Sequence, residues 1–126
     1  MREQSMMHYR RGLNCSQAII KAAEQRYRIK VPQQSYDMCR GVGNGFGSGN
    51  ICCALVGGIM IFGILFGESA TKSLRIKLLD RFHQLHGTIF CGALTRNGSN
   101  NSGCEAIVGD VAGLIEEIID QQLAKL

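Results

Sequence analysis

The chain has a single proline, Pro32, no tryptophan, and aromatic residues at only 6% of its 126 positions. With one proline, helices can run unbroken, and no stretch sustains the alternation that a half-buried strand needs. The lack of tryptophan, and of any basic stripe interleaved with aromatics, argues against a nucleic-acid interface. None of the six cysteines forms a C-x-x-C, so zinc-ribbon and thioredoxin-like motifs have no support. Paired carboxylates, a Ser/His/Asp order and H-E-x-x-H are missing as well, which leaves hydrolase chemistry without candidates. The glycine-rich stretch 41–50, GVGNGFGSGN, offers no G-x-G-x-x-G frame, no preceding strand and no following Walker Lys-Ser/Thr pair, so a nucleotide loop is not read there.

What is present is compact and helical. A chain of 126 residues is one domain by size, residues 1–126, able to bury a core without disulfide staples. The opening MREQSMMHYRRGLN holds neither an apolar run nor a small-residue cleavage site, so no signal peptide is expected. A cytoplasmic location follows as the expectation, where thiols stay reduced and bind metal or cycle rather than staple. Net charge is +4 and uneven. Residues 1–30 carry seven basic and two acidic side chains, residues 104–126 one basic and five acidic, so first and last helices either complement each other or solvate themselves.

The pattern predicts helices separated by glycine loops: about 2–11, 15–28 with an Asn14-x-x-Gln17 capping box, a short helix from Pro32 to about Arg40, 51–67, about 70–86, a turn at Cys91, and 104–124. Residues 95–103 read as a polar loop. Segment 51–67, ICCALVGGIMIFGILFG, is uncharged over 17 residues, short of the ~20 that a membrane span needs and without a flanking basic cluster. No membrane span is expected; a small membrane protein is the outlying reading. The segment is expected as a central helix surrounded by amphipathic ones, in an all-α bundle of about five to six helices. Leu74, Leu78, Phe82 and Leu85 mark one inner face, and Ile107, Val111, Leu114 and Ile118, beside Val108, Ile115 and Ile119, mark another. Gly63 with Gly67, and Gly109 with Gly113, are four apart and suited to close helix approach. The spare surface of a glycine-rich apolar helix would also serve a homodimer.

Four cysteines fall where helices start. Asn14 precedes Cys15, Asn50 precedes Ile51-Cys52, Thr88 stands three before Cys91, and Ser102-Gly103 precedes Cys104. Unpaired N–H groups and the positive end of the helix dipole favour thiolate over thiol there. If those helix starts converge, the four sulfurs suit zinc, an iron–sulfur cluster, or pairwise oxidation to disulfide. Cys52 and Cys53 point about 100° apart around a helix axis, so one can face the site and the other the core. Cys39 ends a helix, where a thiolate is disfavoured, and reads as packing. The glycine loop can bring backbone N–H groups, at Gly45 and Gly47 among others, close to sulfur or to a cofactor. His83 and His86 are three apart, with His86 a turn before Cys91; a Cys/His metal set including His86 competes with simple stabilisation of a helix end.

These residues resemble the C_GCAxxG_C_C family of redox-active proteins. Gly12-Leu13-Asn14-Cys15-Ser16-Gln17 is similar to its G-x-N-C-x-Q opening, and Gly45-Phe46-Gly47 followed by Cys52-Cys53-Ala54-Leu55-Val56-Gly57 to its glycine loop and C-G-A-x-x-G motif. Phe82, Gly87, Cys91 and Cys104 follow its closing pattern. The resemblance implies a small all-helical domain whose functional set is Cys15, Cys52, Cys91 and Cys104. Here Cys53 stands where the family motif has glycine, and the family label puts the cysteine second, so either Cys52 or Cys53 faces the site. The expectation is a redox-active thiol protein, a possible oxidoreductase or electron carrier with an unidentified redox partner. The alternative is a structural zinc module without redox turnover.

Overall fold

The computed structural model describes residues 1–96 and 101–126. The expected fold class holds: the protein is all-α. Helices α1 (Arg2–Arg10), α2 (Cys15–Tyr27), α3 (Gln33–Met38), α4 (Cys53–Leu65), α5 (Glu68–His86), α6 (Cys91–Arg96) and α7 (Asn101–Ala124) follow in order, with a tight glycine turn at Gly45–Gly49 before α4. Among the described residues the one extended pairing is an isolated antiparallel bridge, Ile51 to Phe90.

Helix α4 is the hub, packed on α2, α5 and α7, while α1 lies across α7 and α2. Its Leu55, Ile61 and Phe62 are fully buried against Ile19, Phe82, Ile115 and Ile119. Each such side chain contributes about 1.5–3 kcal/mol on leaving water. The periodic faces of α5 and α7 land as expected, with Leu74, Leu78, Phe82, Val111, Leu114 and Ile118 buried and Ile107 packed at the edge of the core.

Several expectations are corrected. Helix α4 is not fully surrounded: Met60 is 40% and Ile64 53% exposed on its last two turns. Leu85 faces water at 62%, since α5 runs past the end of the core before Gly87 closes it in a left-handed conformation. The glycines that permit close packing are also different ones. A Cβ on Gly57 would stand 2.7 Å from the Ser16 carbonyl oxygen, and one on Gly58 would run into Ile115. Gly63, Gly67 and Gly113 meet nothing, and only Gly109 behaves as expected, against Met6. The polar loop read at 95–103 is shorter than supposed: α6 continues to Arg96, α7 is helical from Asn101, and positions 97–100 lie outside the described residues.

The charge asymmetry is used between helices. Arg2 pairs with Asp110 at 2.6 Å, Arg10 with Glu105 at 2.8 Å and Arg26 with Glu116 at 2.8 Å, so basic α1 and α2 are registered on acidic α7. Exposed pairs of this kind are worth about 0–1 kcal/mol, enough to orient the helices but not to drive folding. Among the described residues, no helix is long and apolar enough to cross a membrane.

Candidate functional site: a thiol cluster at converging helix starts

The site is assembled by the way α2 begins. Asn14 accepts from the Gln17 backbone N–H at 2.9 Å, and Gln17 Oε1 accepts from the Asn14 N–H at 3.1 Å, completing the capping box. Asn14 Nδ2 also donates to the Cys39 carbonyl at 2.8 Å, and Gln17 Nε2 to the Tyr36 carbonyl at 2.9 Å, tying this helix start to the end of α3. The cap satisfies the third N–H of the helix and leaves those of Cys15 and Ser16 without an intrahelical partner. Both donate to the sulfur of Cys53.

Cys53 reaches that position because α4 starts later than the sequence suggested. Asn50 does not cap it; Cys52 is the N-cap residue and Cys53 the first helical one. Residues 50–52 are instead clasped to 89–91, with the Cys52 N–H donating to Ile89 at 2.8 Å and the Cys91 N–H to Asn50 at 2.7 Å. That clasp brings α6 and Cys91 to the starts of α2 and α4. The glycine turn folds onto it. Gly45, Phe46, Gly47 and Gly49 all have positive φ, a side chain on Gly45 would collide with Asn50, and Gly49 lies against Gly92. Asn44, also left-handed at φ 57°, turns its N–H to Cys53 as a third backbone donor. Gly45 and Gly47 themselves line neither the thiol cavity nor the basin outside it, where Asn44 and Gly43 stand instead.

Cys15, Cys52, Cys53, Cys91 and Cys104 line one small cavity of about 40 Å³, together with Tyr9, Asn44, Leu94 and Ile107. Cys15, Cys53, Tyr9 and Asn44 also form the floor of an open basin of about 500 Å³, rimmed by Arg10, Leu13, Gly43 and Glu105. The predicted positions are therefore brought together, with Cys53 added, while Cys39 is buried elsewhere. Cys104 is the fourth residue of α7 rather than its first. All six cysteines are free thiols. The histidines do not join the cluster: His83 is exposed, and His86 sits 3.3 Å from Asp110 with its ring against Phe82.

Helix starts were expected to ionise all four sulfurs; the electrostatics single out one instead. Cys53 is lowered, first by the hydrogen bond from the Cys15 thiol and then by the three backbone N–H groups, which together outweigh burial. Cys15 is pushed well above the usual thiol range, first because its proton is held by Cys53 and then by burial and the neighbouring sulfurs. In this coupled pair the proton is favoured on Cys15 and negative charge is favoured on Cys53. Burial lifts Cys52 to about 12 despite the N–H groups of Ala54 and Leu55. Cys91 is raised by burial and by Cys104 and Cys53. Tyr9 is raised by burial and by Cys15 and Cys104, and its hydroxyl hydrogen-bonds Cys104.

Zinc or an iron–sulfur cluster calls for three or four ligands within about 2.0–2.3 Å of one metal ion. Among the described residues no three His, Cys, Asp or Glu side chains are so grouped. Two contributors escaped the sequence reading. Tyr9 carries no local signal, because only the crossing of α1 over α7 brings it to the sulfurs. Asn44 did carry one: asparagine among glycines tolerates the left-handed conformation.

Fold and cluster together define a small all-α protein in which five thiols line one cavity and two of them, Cys15 and Cys53, also line an open basin. Residues 13–118 match the family described as "Putative redox-active protein (C_GCAxxG_C_C)", and the chain belongs to that family. No curated protein and no solved structure matches the chain.

Proposed function

We propose that the protein is a dithiol–disulfide carrier of the reducing cytoplasm, in which Cys15 and Cys53 form the exchanging pair. The observation that carries this reading is the Cys15 thiol hydrogen-bonded to a Cys53 sulfur held by three backbone N–H groups, at the floor of an open basin.

Exposure assigns the roles. Cys53 is only 2% exposed, whereas Cys15 is partly open to the basin. An incoming disulfide therefore meets Cys15. As the Cys15 proton passes to Cys53, the Cys15 sulfur attacks, an S–S bond to the substrate forms and a thiolate leaves. That thiolate takes the proton back from Cys53. The Cys53 thiolate, again stabilised by its N–H groups, attacks Cys15, and the second substrate sulfur departs as a thiolate that takes a proton from solvent. The thiol–thiolate pair becomes one disulfide and the substrate disulfide becomes two thiols, one protonated by the pair and one by solvent; the reverse sequence reduces the protein. Cys52, Cys91 and Cys104 line the far side of the same cavity and keep it apolar around the pair.

The test is oxidation of the reduced chain with a small disulfide, followed by mass spectrometry. The wild type is expected to lose two hydrogens between Cys15 and Cys53, and the Cys53→Ser chain to accumulate a mixed disulfide on Cys15. Oxidation confined to other cysteines would overturn the assignment.

A further inference from the structure

We infer that the basin over Cys15 and Cys53 selects small disulfides with amino-acid head groups, an ammonium and a carboxylate on the same arm, through the Arg10–Glu105 pair on its rim. The inference rests on the dithiol reading and names the substrate class of that same site.

Concavity sets the size. Cys15 lies at the floor of a basin of about 500 Å³, with Tyr9, Leu13 and Asn14 around it. A hollow of that volume holds a small molecule. A small disulfide enters it whole, whereas one set in a folded chain must bring its flanking backbone past the rim.

Charge sets the head group. Among the described residues lining the basin, Arg10 and Glu105 are the ones with a cationic and a carboxylate side chain. They meet at 2.8 Å through Arg10 Nη1 and Glu105 Oε2, with the arginine 58% and the glutamate 19% exposed. That contact leaves the other N–H groups of Arg10 and the second oxygen of Glu105 for a ligand. A cation and an anion side by side complement an amino-acid head group: its carboxylate accepts from Arg10 and its ammonium donates to Glu105, each bond charge-assisted. A disulfide with carboxylates alone brings a like charge to Glu105, and one with ammonium groups alone brings a like charge to Arg10. Because Arg10, Glu105 and Cys15 line one basin, head group and disulfide of a single molecule are engaged together.

The test is anaerobic stopped-flow oxidation of the reduced full chain by zwitterionic L-cystine, dianionic dithiodipropionate, dicationic cystamine and neutral hydroxyethyl disulfide. Each rate is divided by that of the same probe with free dithiothreitol, which cancels differences between leaving groups. The normalised rate for cystine should exceed the others by about tenfold, the worth of about one charge-assisted hydrogen bond. Glu105→Gln should raise dithiodipropionate relative to cystine, and Arg10→Gln should raise cystamine relative to cystine. Loss of helix registration alone would move all the probes alike. A wild type that does not prefer cystine, or variants in which these ratios stay as in wild type, would overturn the substrate class while hydroxyethyl disulfide still reports exchange at Cys15. A wild type inert to that neutral probe as well would overturn the dithiol reading, and this inference with it.

Discussion

Gly57 of α4 lies so close to Ser16 of α2 that a Cβ there would stand 2.7 Å from the Ser16 carbonyl oxygen and 3.0 Å from its Cα. Both obstacles are backbone and cannot rotate away. The contact fixes the distance between the start of α2, which supplies two N–H donors, and the start of α4, which carries the accepting sulfur.

Gly57→Ala should therefore push the two helices apart. The expected cost is about 1–3 kcal/mol, the range for overpacking a filled interior, read from the urea midpoint at unchanged slope. The distinguishing result is at the sulfur: with its N–H donors withdrawn, Cys53 should titrate nearer the usual thiol range. A variant as stable as wild type with an unaltered Cys53 titration would remove the spacing argument.

Asn14→Ala removes the α2 cap and the hydrogen bond to Cys39 together. A lost cap costs about 0.5–2 kcal/mol and a part-buried neutral hydrogen bond about 1 kcal/mol, so chemical denaturation should register about 1.5–3 kcal/mol. Asn14→Asp keeps the acceptor and loses only the donor, and should recover roughly half.

Removing the acceptor should release the Cys15 proton. The hydrogen bond to Cys53 is the first cause of the raised Cys15 thiol. In Cys53→Ala the pH profile of Cys15 alkylation should move down toward about 8.5, the ordinary thiol value. Profiles that coincide in wild type and variant would show that burial alone holds Cys15 protonated.

Alkali should destabilise the fold before acid does. The thiols of Cys15, Cys52 and Cys91, and the phenols of Tyr9, Tyr27 and Tyr36, are all raised in the folded chain. Their contribution is complete below the unfolded values, about 8.5 for Cys and 10 for Tyr, and is lost as pH rises through the folded ones. Above those values the unfolded chain binds fewer protons than the folded chain, so stability falls with pH. Cys53 and Glu24 act in the opposite sense. Glu24 is lowered because hydrogen bonds from Val31 and Tyr36 and the charge of Lys21 outweigh its burial, and its contribution fades as pH falls through the folded value. Reduced protein should thus show a thermal midpoint declining from about pH 9 upward; a midpoint rising there would contradict the assignment.

Helix identity, the capping box at Asn14 and Gln17 and the buried faces of α5 and α7 were legible in the sequence, because each depends on residues a few positions apart; the gathering of cysteines from across the chain was conditional on the fold. The start of α4 was not legible, since the clasp of Asn50 to Cys91 decides it across 41 positions of chain. For the same reason Gly57, not Gly63, proved to be the contact glycine: spacing marks where close approach is allowed, and only the neighbouring helix decides where it occurs.

The residue order by itself determined that this is a helical protein with cysteines at helix starts, since local hydrogen bonding and hydrophobic period act within a few turns. Which thiol is shifted toward ionisation was decided by tertiary structure alone. The donors that hold Cys53 come from Cys15, Ser16 and Asn44 on other segments, and a sulfur's charge answers to the dipoles that fold against it rather than to those of its own helix.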